Sequence, residues 1–268
     1  MSKDIESAMI EVFDQLQYQL SEGVAVVTLN RPESMNSMSS KMLQELFQVF
    51  TLIGETDSVN VVIITGMGRK AFSAGLDLKE LSQGVDVFFQ KVDDFDVIGA
   101  IENCGCPVIG AINGCAITGG FELALACDFL IASNTAKFAD THARVGLIPA
   151  WGMSQKLPRL IGVNRAREMS LTGRFISAEE AFQWGLVNHI CEADALLDKA
   201  KSLAERILNC DQAAISATRK IIDYGWRTSM QQGLEAELAM FKEYVAARAD
   251  NHVSARVSAT IKQGREQF

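Results

Sequence analysis

The stretch of residues 107–133 constrains the fold more than any other part of the chain; its sequence is PVIGAINGCAITGGFELALACDFLIAS. It opens with a short apolar, β-branched run that is typical of a buried strand. A turn of small residues follows and ends in Thr118-Gly119-Gly120, after which strong helix formers begin. The pattern returns to that of a strand from Asp128 onward. The sequence therefore predicts a strand, a glycine turn, a helix and a second strand in direct succession.

The glycine turn within this stretch is also suited to chemistry. Two glycines at a strand-to-helix junction let a ligand approach the backbone closely, and they present free N–H groups at the positive end of a helix. Glu122 lies in the first turn of the same predicted helix. An acid beside converging donors can move a proton while a carbonyl is polarised. The alternative is a purely structural turn whose acid favours the helix N-terminus.

The rest of the chain repeats this alternation and then becomes helical. Residues 24–29 predict a strand, a helix begins after a Ser39 cap, and residues 60–65 predict a further strand. This alternation is typical of an α/β fold with a largely parallel sheet. Residues 1–20 predict a strand that pairs with the next segment. Apolar residues at helical spacing predict three C-terminal helices, over 193–208, 211–225 and 229–247.

Composition excludes several classes of protein. A chain of 268 residues, 48% of them apolar, can bury a substantial core. Its net charge of −8 argues against nucleic-acid binding, which requires a basic face. No apolar run reaches the roughly 18 residues of a membrane span, and the N-terminus lacks a signal-peptide core. Six cysteines in apolar patterns favour reduced thiols and a cytoplasmic location, and the Cys-Gly-Cys at 104–106 has no second ligand pair for a metal.

A second glycine-containing segment lies at residues 70–80, KAFSAGLDLKE. Small residues at 73–75 precede a predicted helix start at 76–79, so backbone amides here can also face a ligand. An ordinary loop with a glycine is the alternative. Gly66 and Gly68 are not followed by the rest of a dinucleotide fingerprint, and no phosphate loop ending in GK[ST] occurs. Nicotinamide binding and nucleotide hydrolysis are therefore not predicted.

Titratable side chains cluster in residues 136–146, AKFADTHARVG. Asp140, His142 and Arg144 alternate there, and the chain contains only three histidines. A histidine with an ordinary pKa near about 6.5 can exchange protons at neutral pH. The tryptophans, in contrast, are predicted to be core or subunit-contact residues: Trp151, Trp184 and Trp226.

Five motifs taken together resemble one known family. They are LNRPESMNSM, FSAGLDLKE, PVIGAINGCAITGGFELALACD, AKFADTHARVGLIPAWG and SLTGRFISAEEAFQWGLVNHI. In this order and spacing, the chain resembles the enoyl-CoA hydratase/isomerase (crotonase) superfamily over roughly residues 10–265. The resemblance implies an α/β spiral of repeated ββα units, with a core and active site in residues 1–195. It further implies a C-terminal helical region, residues 196–268, that mediates contacts in a homotrimer or a dimer of trimers.

The resemblance also assigns catalytic roles. The backbone N–H groups of Leu76 and Gly119 match the family's oxyanion hole, and Glu122 matches a glutamate that orients and deprotonates water. The second glutamate of the family is replaced by His142, and Asp140 lies two residues earlier. Either His142 or Asp140 could return the proton to the α-carbon, or His142 could merely hydrogen-bond Asp140. The family motif further implies contacts to coenzyme A at Ala74, Leu76, Asp77 and Leu78.

The implied activity is addition of water to a 2-enoyl-CoA thioester. Coenzyme A is part of the substrate, and the resemblance implies no metal or redox cofactor. A lysine that many members carry after the Arg-Pro pair is Glu33 here, so one expected phosphate contact is missing. The alternatives are another reaction on a CoA thioester (isomerisation, decarboxylation or hydrolysis) or an acyl-CoA-binding protein with little catalysis.

Overall fold

The computed structural model describes residues 9–247, together with residues 257 and 261. Residues 1–8 of the strand region predicted over 1–20 lie outside the described residues. The same is true of the predicted region 196–268 after residue 247, except for residues 257 and 261. The strands are β1 (Met9–Val12), β2 (Leu16–Ser21), β3 (Val24–Leu29), β4 (Val61–Gly66), β5 (Ala71–Ser73), β6 (Val108–Ile112), β7 (Cys115–Ile117), β8 (Phe129–Ser133), β9 (Lys137–Ala139), β10 (Phe175–Ser177) and β11 (His189–Cys191).

The helices follow the strands as the sequence pattern indicates. They are α1 (Ser40–Glu55), α2 (Leu78–Leu81), α3 (Val85–Val92), α4 (Val97–Glu102), α5 (Gly119–Leu125), α6 (Met153–Ile161), α7 (Val163–Thr172), α8 (Ala178–Gln183), α9 (Leu196–Leu208), α10 (Gln212–Arg227) and α11 (Met230–Ala246). Short 3-10 turns lie at Pro32–Ser34, His142–Val145 and Ala193–Ala195.

From β4 onward, consecutive strands of the chain alternate between two sheets. The larger sheet has the order β1-β2-β3-β4-β6-β8-β11 and is parallel from β3 onward; the smaller has the order β10-β9-β7-β5. Each successive pair, β4 and β5, β6 and β7, then β8 and β9, sends its first strand to the larger sheet and its second to the smaller. Helical segments follow each pair. The predicted spiral of ββα units is therefore confirmed.

The larger sheet is covered on both faces, which explains why its central strands are apolar throughout. In β4, Val61 and Ile63 belong to a cluster with Leu196 and Ala200 of α9. Their neighbours on the opposite face of the strand belong to the main core that also contains α1 and α5. Because β4 is buried on both sides, its sequence VVIITG does not alternate.

Local sequence signals set several element boundaries. The Ser39 side chain accepts a hydrogen bond from the Met42 N–H at 3.1 Å and caps α1, as predicted. Ser177 and Glu180 form a reciprocal capping box at the start of α8. Glu22 and Gly23 both have positive φ angles, +52° and +81°, and form the hairpin turn between β2 and β3.

The chain divides into two compact units, Met1–Gln212 and Ala213–Phe268. The first unit contains both sheets and α9, and the second contains α11. The predicted division into residues 1–195 and 196–268 stays a prediction. Within the described ranges, no helix combines the length and apolar character that a membrane crossing requires.

Candidate active site

A hollow of about 640 Å³, including the part open to solvent, lies at the N-terminal end of α5. Four polar side chains face it, from Thr118, Glu122, Thr141 and His142. The other lining residues are Ala74, Leu76, Leu78, Leu81, Phe89, Gly119, Val145, Leu147, Ile148, Ala150 and Trp151. A mostly apolar hollow with a few convergent polar groups is the usual form of a small-molecule site.

The two glycine-containing segments converge at this hollow. A Cβ added to Gly119 would lie 3.7 Å from the Cα of Gly75, and one added to Gly75 would lie 3.2 Å from the Gly119 nitrogen. Gly75 has a φ of +94°, a conformation that residues with a side chain rarely adopt. Met38 fixes the segment, because its N–H donates to the Gly75 carbonyl at 2.8 Å and its carbonyl accepts from the Asp77 N–H at 2.9 Å.

The N–H groups of Leu76 and Gly119 are available to a ligand. Gly119 is the first residue of α5, so its N–H has no partner within the helix. Among the hydrogen bonds of the described residues, none uses the Leu76 N–H. Both residues line the hollow. The structure thus brings together the two residues that the family motif assigned to one oxygen-binding site.

The Glu122 carboxylate is buried and held in a fixed orientation. Only 2% of the residue is exposed. One carboxylate oxygen, Oε1, accepts hydrogen bonds from the backbone N–H groups of Trp151 at 2.8 Å and Met153 at 3.3 Å. The other, Oε2, lies 3.5 Å from Nε2 of His142. The backbone N–H groups of Trp151 and Met153 therefore orient the carboxylate of Glu122, and its second oxygen faces His142.

His142 lies between two carboxylates. Its Nδ1 is 2.7 Å from Oδ1 of Asp140, on the side opposite Glu122. Burial favours a lower pKa for His142, but the hydrogen bonds and negative charges of Asp140 and Glu122 outweigh it and raise the pKa to about 9. Burial likewise opposes ionisation of Asp140, yet hydrogen bonds from His142 and Ser170 hold its pKa below the ordinary value. At neutral pH the arrangement is an imidazolium that lies between the carboxyl groups of Asp140 and Glu122.

The residues predicted to contact coenzyme A divide into two groups. Ala74, Leu76 and Leu78 line the hollow, and Leu78 is 56% exposed at its rim. Asp77 has a different position, because its carboxylate caps α2 and pairs with Arg31 at 2.9 Å. These contacts hold its pKa below the ordinary value although burial opposes this. Asp77 is not among the described residues that line the hollow.

Nine of the residues that line the hollow were not predicted as site residues, among them Trp151, Thr118 and Thr141. Trp151 packs against the main core, as predicted, and it also lines the hollow, where its ring lies 3.4 Å from a Cβ added at Gly119. Thr118 and Thr141 also line it, and their hydroxyl oxygens are 2.6 Å apart. The position of Trp151 depends on the return of a loop to Glu122, which no local pattern indicates.

The fold and the hollow together define a class of proteins. They are spiral α/β proteins in which backbone N–H groups from two ββα units meet beside a buried acid. The chain belongs to the enoyl-CoA hydratase/isomerase family, whose model matches residues 19–256. The resemblance stated from the motifs is confirmed.

Individual relatives agree over most of the chain. It is 45% identical over 219 residues to the "Probable enoyl-CoA hydratase 1, peroxisomal" of Arabidopsis thaliana, covering 81% of each chain. It is 34% identical to the crotonyl-CoA hydratase of Syntrophomonas wolfei, covering 85% of this chain and 89% of the relative. The crystal structure of enoyl-CoA hydratase from Bacillus anthracis superposes with a TM-score of 0.86 at 35% identity, covering 93% and 97% of the two chains.

Proposed function

We propose that this protein is an enoyl-CoA hydratase, a hydro-lyase that adds water across the 2,3-double bond of a 2-enoyl-CoA. The observation that carries the proposal is the buried Glu122–His142 pair beside the N–H groups of Leu76 and Gly119. A base, an acid and two oxygen-binding donors at one apolar hollow are the groups that this reaction needs. Two relatives that align with most of this chain, named crotonyl-CoA hydratase and short-chain-enoyl-CoA hydratase, support the same reaction.

The proposed reaction proceeds by acid–base chemistry. Glu122 removes a proton from water, and the oxygen adds to C3 of the enoyl group. The electron pair of the double bond moves toward the thioester, whose oxygen takes up negative charge between the Leu76 and Gly119 N–H groups. The C2 carbon then takes a proton from the His142 imidazolium. Water supplies both the added hydroxyl and, through the carboxyl, the proton that restores His142, so the proposed reaction needs no metal or redox cofactor.

His142, rather than Asp140, is the proposed acid. Among the described residues that line the hollow, His142 is present and Asp140 is not. The raised pKa of His142, about 9, leaves it protonated at neutral pH, whereas the lowered pKa of Asp140 leaves that carboxyl without a proton to give. Asp140 instead orients the imidazole and stabilises its charge.

Turnover of crotonyl-CoA by the purified full chain tests the proposal. We expect hydration by the wild type and a loss on the order of 10²-fold to 10⁴-fold in kcat for Glu122→Gln, the usual contribution of a positioned general base. Glu45→Gln is the matched control, because Glu45 is equally buried and also accepts two backbone N–H bonds, from Asp14 and Gln15. Full activity of Glu122→Gln, or no turnover by a wild type that binds acyl-CoA, would contradict the assignment.

A second candidate is an acyl-CoA-binding protein with little catalysis. One observation favours it: Glu122 already accepts two backbone hydrogen bonds and lies 3.5 Å from His142, so both of its carboxylate oxygens have partners within the protein. This candidate predicts micromolar or tighter binding of both crotonyl-CoA and its saturated analogue with no hydration. The crotonyl-CoA assay separates the two functions.

The assembly and the location are also proposals. On α11, the exposed apolar side chains recur at helical spacing, at Met230, Leu234, Leu238, Phe241 and Val245. Such a stripe supports the proposed homotrimer or dimer of trimers, which sedimentation equilibrium would measure. The proposed cytoplasmic location rests on cysteine usage, whereas the Arabidopsis relative is named peroxisomal. Microscopy of a tagged full chain would distinguish the compartments.

A further inference from the structure

Thr118 has a backbone conformation that is unusual for its residue type. Its φ is +55° and its ψ is −117°, and it is the residue directly before α5. A positive φ is a genuine outlier for a β-branched residue, because the branched side chain crowds the backbone. The other non-glycine residues with positive φ in the described ranges are Glu22, Met35 and Asn36, none of them β-branched. Such outliers persist where neighbouring contacts fix them, and they concentrate at functional sites.

This conformation sets the direction of one peptide unit. The Thr118 carbonyl accepts hydrogen bonds from the N–H groups of Phe121 at 3.0 Å and Glu122 at 2.9 Å, so it points into α5. In a planar trans peptide, the C=O and the following N–H point in opposite directions. The Gly119 N–H therefore points away from the helix and toward the hollow. The same peptide unit thus anchors the backbone of Glu122 and aims the Gly119 N–H.

The side chain of Thr118 supplies contacts that hold this conformation. Its hydroxyl oxygen lies 2.6 Å from the hydroxyl oxygen of Thr141 and accepts a hydrogen bond from the Thr141 N–H at 3.1 Å. The Thr118 N–H donates to the Ala139 carbonyl at 2.9 Å. Thr141 is the residue between Asp140 and His142. Through one hydroxyl, the turn that carries Gly119 is joined to the segment that carries the proposed acid.

We propose that Thr118 is a positioning residue, whose hydroxyl holds the Gly119 N–H in line with the thioester oxygen and in register with His142. The inference rests on the proposed function, because it assigns how the oxygen-binding donor of that site is kept in place. Thr118 itself performs no proton transfer. Its effect is on the strength of the hydrogen bond that the thioester oxygen receives.

The test measures that hydrogen bond directly. Butyryl-CoA labelled with ¹³C at the thioester carbonyl is bound to the wild type and to Thr118→Val, which keeps the shape but lacks the hydroxyl. We expect the carbonyl stretch to move to lower wavenumber on the wild type and to return toward its solution value on Thr118→Val. In crotonyl-CoA hydration we expect kcat to fall on the order of 10-fold to 100-fold, less than the loss of a whole oxyanion donor, with little change in KM.

Three further variants make the result specific. Thr118→Ser restores the hydroxyl and should restore both the carbonyl shift and most of kcat. Thr141→Val removes only the hydroxyl partner, and it should give a smaller loss of the shift; it replaces Thr118→Val if that variant does not fold. Thr135→Val is the matched control, since its hydroxyl bonds Ser133 at 3.0 Å in the turn between β8 and β9, away from the hollow.

The outcomes separate this inference from the proposed function. A carbonyl shift that is unchanged in Thr118→Val would overturn the positioning role, whatever the activity. A second outcome is a carbonyl shift that is present on the wild type and lost on Thr118→Val, without any hydration by the wild type. This result would support the positioning role and refute the hydratase function. An equal loss in Thr135→Val would also overturn the inference, because the effect would then be one of general stability.

Discussion

Two consecutive regions of the molecule build the site in different ways. Residues 107–133 contain β6, β7, α5 and β8, and β6, α5 and β8 follow from local sequence patterns. β7 does not, because the sequence predicts a turn there and the strand forms by pairing with the distant β5 and β9. Residues 139–153 run from the end of β9 through a 3-10 turn and a loop to the start of α6, and hydrogen bonds join them to Thr118 and Glu122 of the first region. The regular region provides the frame and the proposed base, whereas the irregular region provides the proposed acid and the hydrogen bonds that orient the base.

The comparison teaches that the chemistry depends on where the two regions meet. Glu122 is fixed to α5, but the Trp151 and Met153 N–H groups hold its Oε1 atom and leave Oε2 facing His142. His142 is fixed by Asp140 within its own segment, and it reaches Glu122 only because the two regions are packed together. Changes in the second region should therefore reduce activity more than stability, whereas changes that disturb the packing of the first region, away from Thr118, Gly119 and Glu122, should reduce stability.

The largest expected effect comes from removing His142, the proposed acid in the irregular region. His142→Gln keeps a side chain of similar reach but cannot supply a proton at neutral pH. We expect kcat for crotonyl-CoA hydration to fall on the order of 10²-fold to 10⁴-fold, the usual contribution of general acid catalysis. Exchange of the C2 hydrogen with deuterated water measures the same step. Retention of both rates would show that another group, such as Asp140, delivers the proton.

A change in the regular region should instead reduce stability. A Cβ at Gly120 would collide with the Ser73 carbonyl. This carbonyl belongs to the backbone of β5, so it cannot move unless the strand itself shifts. We expect Gly120→Ala to lower the free energy of unfolding by roughly 1–3 kcal/mol, the cost of overpacking. Gly54→Ala in α1 is the control, because a Cβ there meets only atoms 3.7 Å or farther away. Urea denaturation measures both, and equal stabilities would contradict the close approach of β5 to α5.

A smaller effect is expected in the pH dependence of stability, and it depends on His142 in the irregular region. The pKa of His142 is about 9 in the folded protein, above its ordinary value of 6.5. Its contribution to stability is therefore complete below about pH 6.5 and is lost as the pH rises through 9. We expect the wild-type Tm to fall over this interval more than that of His142→Gln. Parallel curves for the two proteins would contradict the ion pairs at His142.

Local patterns were sufficient for most of the fold. The Ser39 cap, the Ser177 capping box and the elements β6, α5 and β8 are each determined by neighbours a few residues apart. The ββα repeat was not legible in the sequence, because each unit buries a different set of side chains. It entered only through the resemblance to the family.

The site was less predictable for a physical reason. Glu122 lies in a helix start that the sequence indicates, but the Trp151 N–H that orients it is 29 residues away. The choice between Asp140 and His142 depended on which side chain faces the hollow, and an alternating sequence does not settle that. Trp151 was assigned to a core or subunit contact because a large apolar side chain is usually buried.

The central claim is that two separate main-chain N–H groups hold one acyl oxygen beside Glu122. A crystal structure of the full chain with butyryl-CoA tests it most directly. The account predicts a thioester oxygen about 2.7–3.1 Å from the nitrogens of both Leu76 and Gly119, with C3 adjacent to the Glu122 carboxylate. A thioester oxygen bound by only one of these nitrogens, or an acyl group that lies away from Glu122, would contradict it.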